Sequence, residues 1–100
     1  MNSDKVKEYY ISKQVVDHYA RATSSIGLWV SEERIFQRVF EDASASLWEI
    51  GCGCGRIAFG LHQLGYANLM GIDFSRNMIE RARQLARTLS VGVSFQVADA

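Results

Sequence analysis

One stretch constrains this chain more than any other: the short apolar run Leu47-Trp48-Glu49-Ile50 opens directly into Gly51-Cys52-Gly53-Cys54-Gly55. A brief apolar run reads as a buried strand, and glycines at alternate positions let the backbone turn sharply out of it. Ile57, Leu61 and Leu64 then recur at i, i+4 and i+7, so the turn feeds a helix that Gly65 can close in the left-handed conformation. The first N–H groups of such a helix have no partners within it, which makes strand, glycine turn and helix together a cradle for a polar or anionic group. The loop departs from the dinucleotide fingerprint, which wants its third glycine three residues after the second. Here that position holds Arg56, and Gly55 arrives one residue early.

The elements around the loop follow from periodicity. Lys5 to Arg21 carries Ile11, Val15 and Tyr19 at helical spacing, with Val6 and Tyr10 four apart, and predicts an amphipathic helix. After a loop through Ala22 to Gly27, Ser31 is the expected N-cap of a second helix, with Glu32 and Glu33 in its first turn and Ile35, Phe36, Val39 and Phe40 as its apolar stripe. Asp42 to Ser46 breaks the pattern. Beyond the glycine loop, Asn68 to Asp73 reads as a strand weakened by Gly71. Ser75 caps a long helix with Met78, Ala82, Leu85 and Leu89 on one face and Ile79 and Ala86 beside them, and Val93 to Val97 alternates as a third strand.

Two leading helices followed by βαβαβ predict an α/β fold: a Rossmann-like, doubly wound sheet represented by its first three parallel strands in spatial order 3-2-1. The expected division is a helical cap over residues 1–45 and the first half of an α/β ligand-binding domain over 46–100. Ligands of such sheets lie at the carboxyl ends of the strands. There the glycine loop, Asp73 at the end of the second strand and Asp99 just after the third converge.

Asp73 stands 22 residues after Gly51, where a carboxylate can accept hydrogen bonds from a ribose diol and would repel a 2′-phosphate. No Gly-Lys-Ser/Thr loop occurs and no lysine follows Lys13, so a triphosphate lacks its usual countercharge. An adenosine-containing ligand with little phosphate fits best. The 11 basic and 11 acidic residues cancel, which removes the global field that would favour nucleic acid or an anionic membrane. Met1 to Glu8 is polar and charged rather than a secretory signal, and no segment approaches the roughly 20 apolar residues needed to span a bilayer, so a cytoplasmic location is expected.

Each candidate has a bland counterpart. Asp73 and Asp99 are also ordinary turn residues, Met78 is explained by helix packing, and Tyr9, Tyr10 and Tyr19 suit an amphipathic helix face. His18 and His62 have no partners identifiable from spacing, and the arginines of the last helix form a solvated face. Cys52 and Cys54 are too close for an ordinary disulfide framework and lack a second pair for zinc, so they read as thiols filling small loop positions and no metal is expected.

Three blocks together resemble the class I S-adenosylmethionine-dependent methyltransferases, in particular their small-molecule branch. They are Glu49 to Gly55 with its acidic-x-Gly-x-Gly-x-Gly pattern, Gly71 to Ala82, and Val93 to Ala100. The resemblance implies S-adenosylmethionine as cofactor. Glu49 and the backbone of Gly51, Gly53 and Gly55 would hold its methionine ammonium and carboxylate, and Asp73 would hold the ribose hydroxyls. Phe74 and Met78 would pack against adenine, and Asp99 would accept from its amino group. Cys52 and Ala100 lie within the same blocks and join the cofactor set, and Tyr10, Tyr19 and Arg21 are candidates to reach it from the leading helices.

The expected function is methyl transfer to a small-molecule acceptor, with this chain supplying the cofactor half and no catalytic base yet identifiable. Two alternatives stay open: a module that binds S-adenosylmethionine or another nucleoside without catalysis, and an NAD-dependent oxidoreductase. Family sheets carry seven strands, so the sequence reads as part of a longer protein, inactive by itself. As a fragment it would expose the edge of its first strand and is expected to self-associate there.

Overall fold

The computed structural model describes residues 5, 7–8, 12–17 and 27–98. Residues 5, 7 and 8 are helical, as are 13–17, but Ser12 lies in a bend between them, which corrects the single helix expected from Lys5 to Arg21. The Ser12 hydroxyl accepts the Val15 N–H at 3.4 Å, the cap-like bond by which serine starts a new helix rather than continuing one.

Helix α1 spans Val30–Val39 and starts two residues earlier than a Ser31 cap would allow. Trp29 is its N-cap, and the Glu32 carboxylate reaches back to accept the Trp29 N–H at 2.9 Å. An acidic side chain at the third helical position thus supplies the capping bond that Ser31, inside the helix, does not.

Strand β1 (Ser46–Ile50), helix α2 (Arg56–Gln63), strand β2 (Asn68–Asp73), helix α3 (Arg76–Leu89) and strand β3 (Ser94–Val97) follow α1 among the described residues. The three strands are parallel in order β1-β2-β3, as expected, with Glu49 opposite Gly71 and Asp73 opposite Val97. Register therefore aligns the carboxyl ends of β1 and β2, where the glycine loop begins.

The core lies between the sheet and its helices. Phe59 and Leu61 of α2, Leu69 of β2, Ile79, Ala82 and Ala86 of α3, and Phe95 of β3 form one buried cluster. Gly71 is required there. A Cβ on it would stand 2.7 Å from the Phe95 ring and 2.8 Å from the Cys52 sulfur, so the glycine that weakens β2 also lets Phe95 and Cys52 close over it.

Ser75 caps α3 as expected, its hydroxyl accepting the Met78 N–H at 3.2 Å. Met78, Ile79, Ala82 and Ala86 are buried, but Leu89, the last residue of α3, is 54% exposed, and Ser90 follows at φ 55°. On the outer side of β1, Trp48 and Ile50 are exposed. Among the described residues no helix is long and apolar enough to cross a membrane.

Candidate functional site at the ends of strands β1 and β2

The loop from Gly51 to Gly55 is fastened to β2 by its own backbone. Gly51 and Cys52 both donate to the Ile72 carbonyl, at 2.7 and 3.0 Å. Gly53 donates to Asp73 Oδ2 at 2.9 Å, and Ser75 donates to Asp73 Oδ1 at the same distance. The Asp73 carbonyl accepts from Ala98 at 2.9 Å. Asp73 therefore links the glycine loop, the start of α3 and the chain leaving β3.

The three loop glycines do different work, though all have positive φ. A Cβ on Gly55 would stand 2.8 Å from the Phe95 ring, so that glycine serves close packing of loop on sheet. Among the described residues, a Cβ on Gly51 or Gly53 would meet nothing within 4 Å. Those two leave open space against the backbone, as a closely approaching ligand needs.

Cys52 and Cys54 are free and buried. Cys54 Sγ lies 3.5 Å from Met78 Sδ and 3.6 Å from the Val16 carbonyl, joining the loop, α3 and the helical residues 13–17 in a second small core. Burial pushes the Cys54 thiol up to about 11 and raises that of Cys52 further, so both stay protonated and act as packing groups. Met78 is 1% exposed and meets Cys54 and Val16, so packing accounts for its burial. Phe74 is half-buried with the Lys7 ammonium 5.8 Å from its ring centroid.

Glu49 is the unusual group. Its Oε1 is buried and has no hydrogen-bond partner among the described residues. Burial pushes its carboxyl up to about 7; the Arg56 charge and the Ala58 amide oppose the rise, and the charges of Asp73 and Glu32 add to it. Arg56, the first residue of α2, is already engaged. Its guanidinium makes a bidentate bridge to Glu32 at 2.7 and 3.0 Å and donates to the Gly27 carbonyl at 2.9 Å, with the Trp29 ring 5.6 Å away. Sequence spacing gives no signal for a pair 24 residues apart, and the position was informative only as a departure from the dinucleotide fingerprint.

The structure thus brings Glu49, Gly51, Cys52, Gly53, Gly55, Asp73 and Phe74 to one end of the sheet, with Met78 packed beneath the loop. Tyr10, Tyr19, Arg21, Asp99 and Ala100 lie outside the described residues.

Comparison with known proteins agrees with this geometry. Residues 48–100 match the family model described as a methyltransferase domain. Methyltransferase GfsG of Streptomyces halstedii is 36% identical over 70 residues, covering 68% of this chain and 25% of its own length. An uncharacterized protein of Methanocaldococcus jannaschii is 43% identical over 51 residues, covering 51% of this chain and 23% of its own. The chain spans about a quarter of the length of these curated relatives. Magnesium protoporphyrin IX methyltransferase of Synechocystis PCC 6803, solved with bound SAH, superposes with a TM-score of 0.72 over 98% of this chain and 52% of its own, at 19% identity, a likeness of fold. With more than half of its length matched by the family model, and with the strand order and glycine loop in place, the chain belongs to the methyltransferase-domain family.

Proposed function

We propose that this chain binds S-adenosylmethionine at the carboxyl ends of β1 and β2 and forms the cofactor half of an enzyme that methylates a small-molecule acceptor. The observation that carries this is the space beside Gly51 and Gly53 that no described residue fills, in a loop whose third glycine is closed by packing and whose backbone is fixed to Asp73. The residues fit the group. Each Asp73 oxygen accepts one backbone N–H and keeps acceptor capacity for a ribose diol. Glu49 offers an uncompensated carboxyl to an ammonium, and the N-terminal turn of α2 offers its dipole to a carboxylate. Phe74 presents a half-buried ring next to Asp73 for an adenine face.

When bound, the sulfonium supplies a methyl group already activated for displacement. This chain's residues bind and orient: Asp73 fixes the nucleoside end, Glu49 and the loop fix the amino-acid end, and the two together set the direction of the sulfur between them. The buried, protonated thiols of Cys52 and Cys54 support the loop from beneath and take no part in chemistry.

Titration calorimetry with S-adenosylhomocysteine and with NAD tests the reading. Saturable one-to-one binding of S-adenosylhomocysteine and none of NAD is expected. Binding of NAD alone, or of neither by the folded protein, overturns it. A methylation assay across small nucleophiles then separates an enzyme from a binding module.

A further inference from the structure

The guanidinium of Arg56 has two carboxyl groups within the reach of its charge and is bonded to one of them. Arg56 is the first residue of α2, directly after Gly55, so its side chain leaves the chain where the glycine loop ends. It turns toward α1. Nη1 and Nη2 donate to Glu32 Oε1 and Oε2 at 2.7 and 3.0 Å, and Nη1 also donates to the Gly27 carbonyl at 2.9 Å. Glu49 feels the same positive charge, yet its Oε1 is buried with no hydrogen-bond partner among the described residues. A guanidinium and a carboxylate in each other's field ordinarily join, since a bidentate pair is among the strongest polar contacts and a buried charge needs a partner. Here Glu32 holds the cation away.

Glu32 is aimed by its own helix before it meets Arg56. It is the third residue of α1, and Oε1 also accepts the Trp29 N–H at 2.9 Å, so the cap that starts α1 fixes the carboxylate that receives the guanidinium. The Trp29 ring, 5.6 Å from the guanidinium carbon, adds a further contact from the same turn. The start of α1 is thus a built receptor for one arginine.

Resting on the function proposed above, we propose that Glu32 is a positioning residue for the amino-acid end of the ligand and acts through Arg56: by holding and neutralising the guanidinium, it keeps the loop end of β1 open to an ammonium. A released guanidinium pairs with Glu49 and repels the incoming cation. Helix α1 therefore sets the affinity of the site through a charge that it holds in place. A purely structural anchor behaves differently, because it acts on both ends of the ligand alike and is indifferent to whether residue 56 is charged.

Titration calorimetry at low salt with two ligands separates these roles: S-adenosylhomocysteine carries the ammonium, and 5′-methylthioadenosine keeps the nucleoside without it. Glu32→Gln retains an acceptor for the Trp29 N–H and loses the charge. It is expected to weaken S-adenosylhomocysteine about tenfold and 5′-methylthioadenosine by less than about twofold. Adding Arg56→Met to Glu32→Gln should recover most of the loss, since no guanidinium is left to release. Equal weakening of both ligands, no weakening of S-adenosylhomocysteine, or no recovery in the double variant overturns the proposal. A second comparison decides the matter even if Glu32→Gln fails to fold. Arg56→Lys keeps the charge but gives up the two-pronged grip, so it should bind S-adenosylhomocysteine more weakly than Arg56→Met does, although lysine is the more conservative replacement. The reverse order overturns the proposal and leaves the proposed function standing, whereas failure of the unaltered protein to bind S-adenosylhomocysteine removes both.

Discussion

Helices α1 and α3 both carry an apolar stripe at helical spacing, yet the structure holds them by different means. On α3, Met78, Ile79, Ala82 and Ala86 are buried against the sheet and loop. On α1 no residue is buried, and Ile35 and Val39 are 58% and 63% exposed. Only Phe36 and the following Phe40 pack against the core, stacked on each other at 6.2 Å. What fastens α1 is polar and sits at its two ends. Glu32 meets Arg56 near the start, and the Tyr66 hydroxyl donates to the Phe36 and Phe40 carbonyls at the finish. The contrast teaches that an apolar period predicts a helix but not the surface that covers it.

The strongest break in the comparison is a matched truncation. Ile79 has no exposed surface, so Ile79→Ala removes buried methylenes and leaves a cavity, at a cost of about 4 kcal/mol. Ile35→Ala trims a side chain largely in water and should change stability by no more than about 0.5 kcal/mol. Urea unfolding of both variants measures the difference. Equal losses would show that α1 is held by burial after all.

Glu49 lies where the two regimes meet, fixed in the sheet and within the field of the Arg56 that anchors α1. Its carboxyl is raised from 4.5 to about 7, so the folded protein holds this proton more tightly than the unfolded chain does. Stability from this group is complete below the ordinary carboxylate range and is lost as pH rises to about 7, amounting to at most about 3 kcal/mol. Denaturant midpoints between pH 4.5 and 8 should carry this downward contribution, and Glu49→Gln should remove it. An identical pH profile in that variant would show that Glu49 is ionised throughout.

Most of the sheet and its loop could be read from the sequence because their signals are local. Strand order came from βαβαβ alternation, and Ser75, Gly65 and the loop glycines each answer a backbone demand met within a few residues. Less was legible where the cause is tertiary. Ser12 breaks a helix whose apolar spacing runs straight through it, and Leu89 keeps the period of α3 but stays exposed at its last residue. In the site, Glu49, Asp73 and the glycines were legible because the motif fixes their spacing. The grip of Arg56 on Glu32, and the sulfur contact between Cys54 and Met78, depend on elements meeting across 24 residues each and leave no trace in local pattern.

The polar anchors of α1 give the smaller effects. Tyr66 is 4% exposed, and Tyr66→Phe deprives the Phe40 carbonyl of its hydroxyl donor while the Phe36 carbonyl keeps the Phe40 N–H, a loss of about 1.5 kcal/mol. Hydrogen exchange should show it as faster opening at the end of α1 with α3 unchanged, whereas equal acceleration of both helices would deny α1 a separate anchor.

The Glu32–Arg56 bridge is partly exposed, with the side chains at 21% and 27%, so solvent screening holds its contribution to about 1 kcal/mol despite the bidentate geometry. Its pH behaviour is opposite in sign to that of Glu49. The Arg56 hydrogen bond, chief among the causes, holds the Glu32 carboxyl below its ordinary value, so its stabilisation is present at neutral pH and disappears as pH falls through that lowered value. Salt should weaken this anchor and leave the burial of α3 untouched. Glu32→Gln is therefore expected to cost about 1 kcal/mol in dilute buffer and much less in 1 M sodium chloride, while the Ile79→Ala penalty holds at both. A Glu32→Gln loss that does not shrink with salt would mean that the residue acts through its bond to the Trp29 N–H, as a helix cap, rather than through the charge of Arg56.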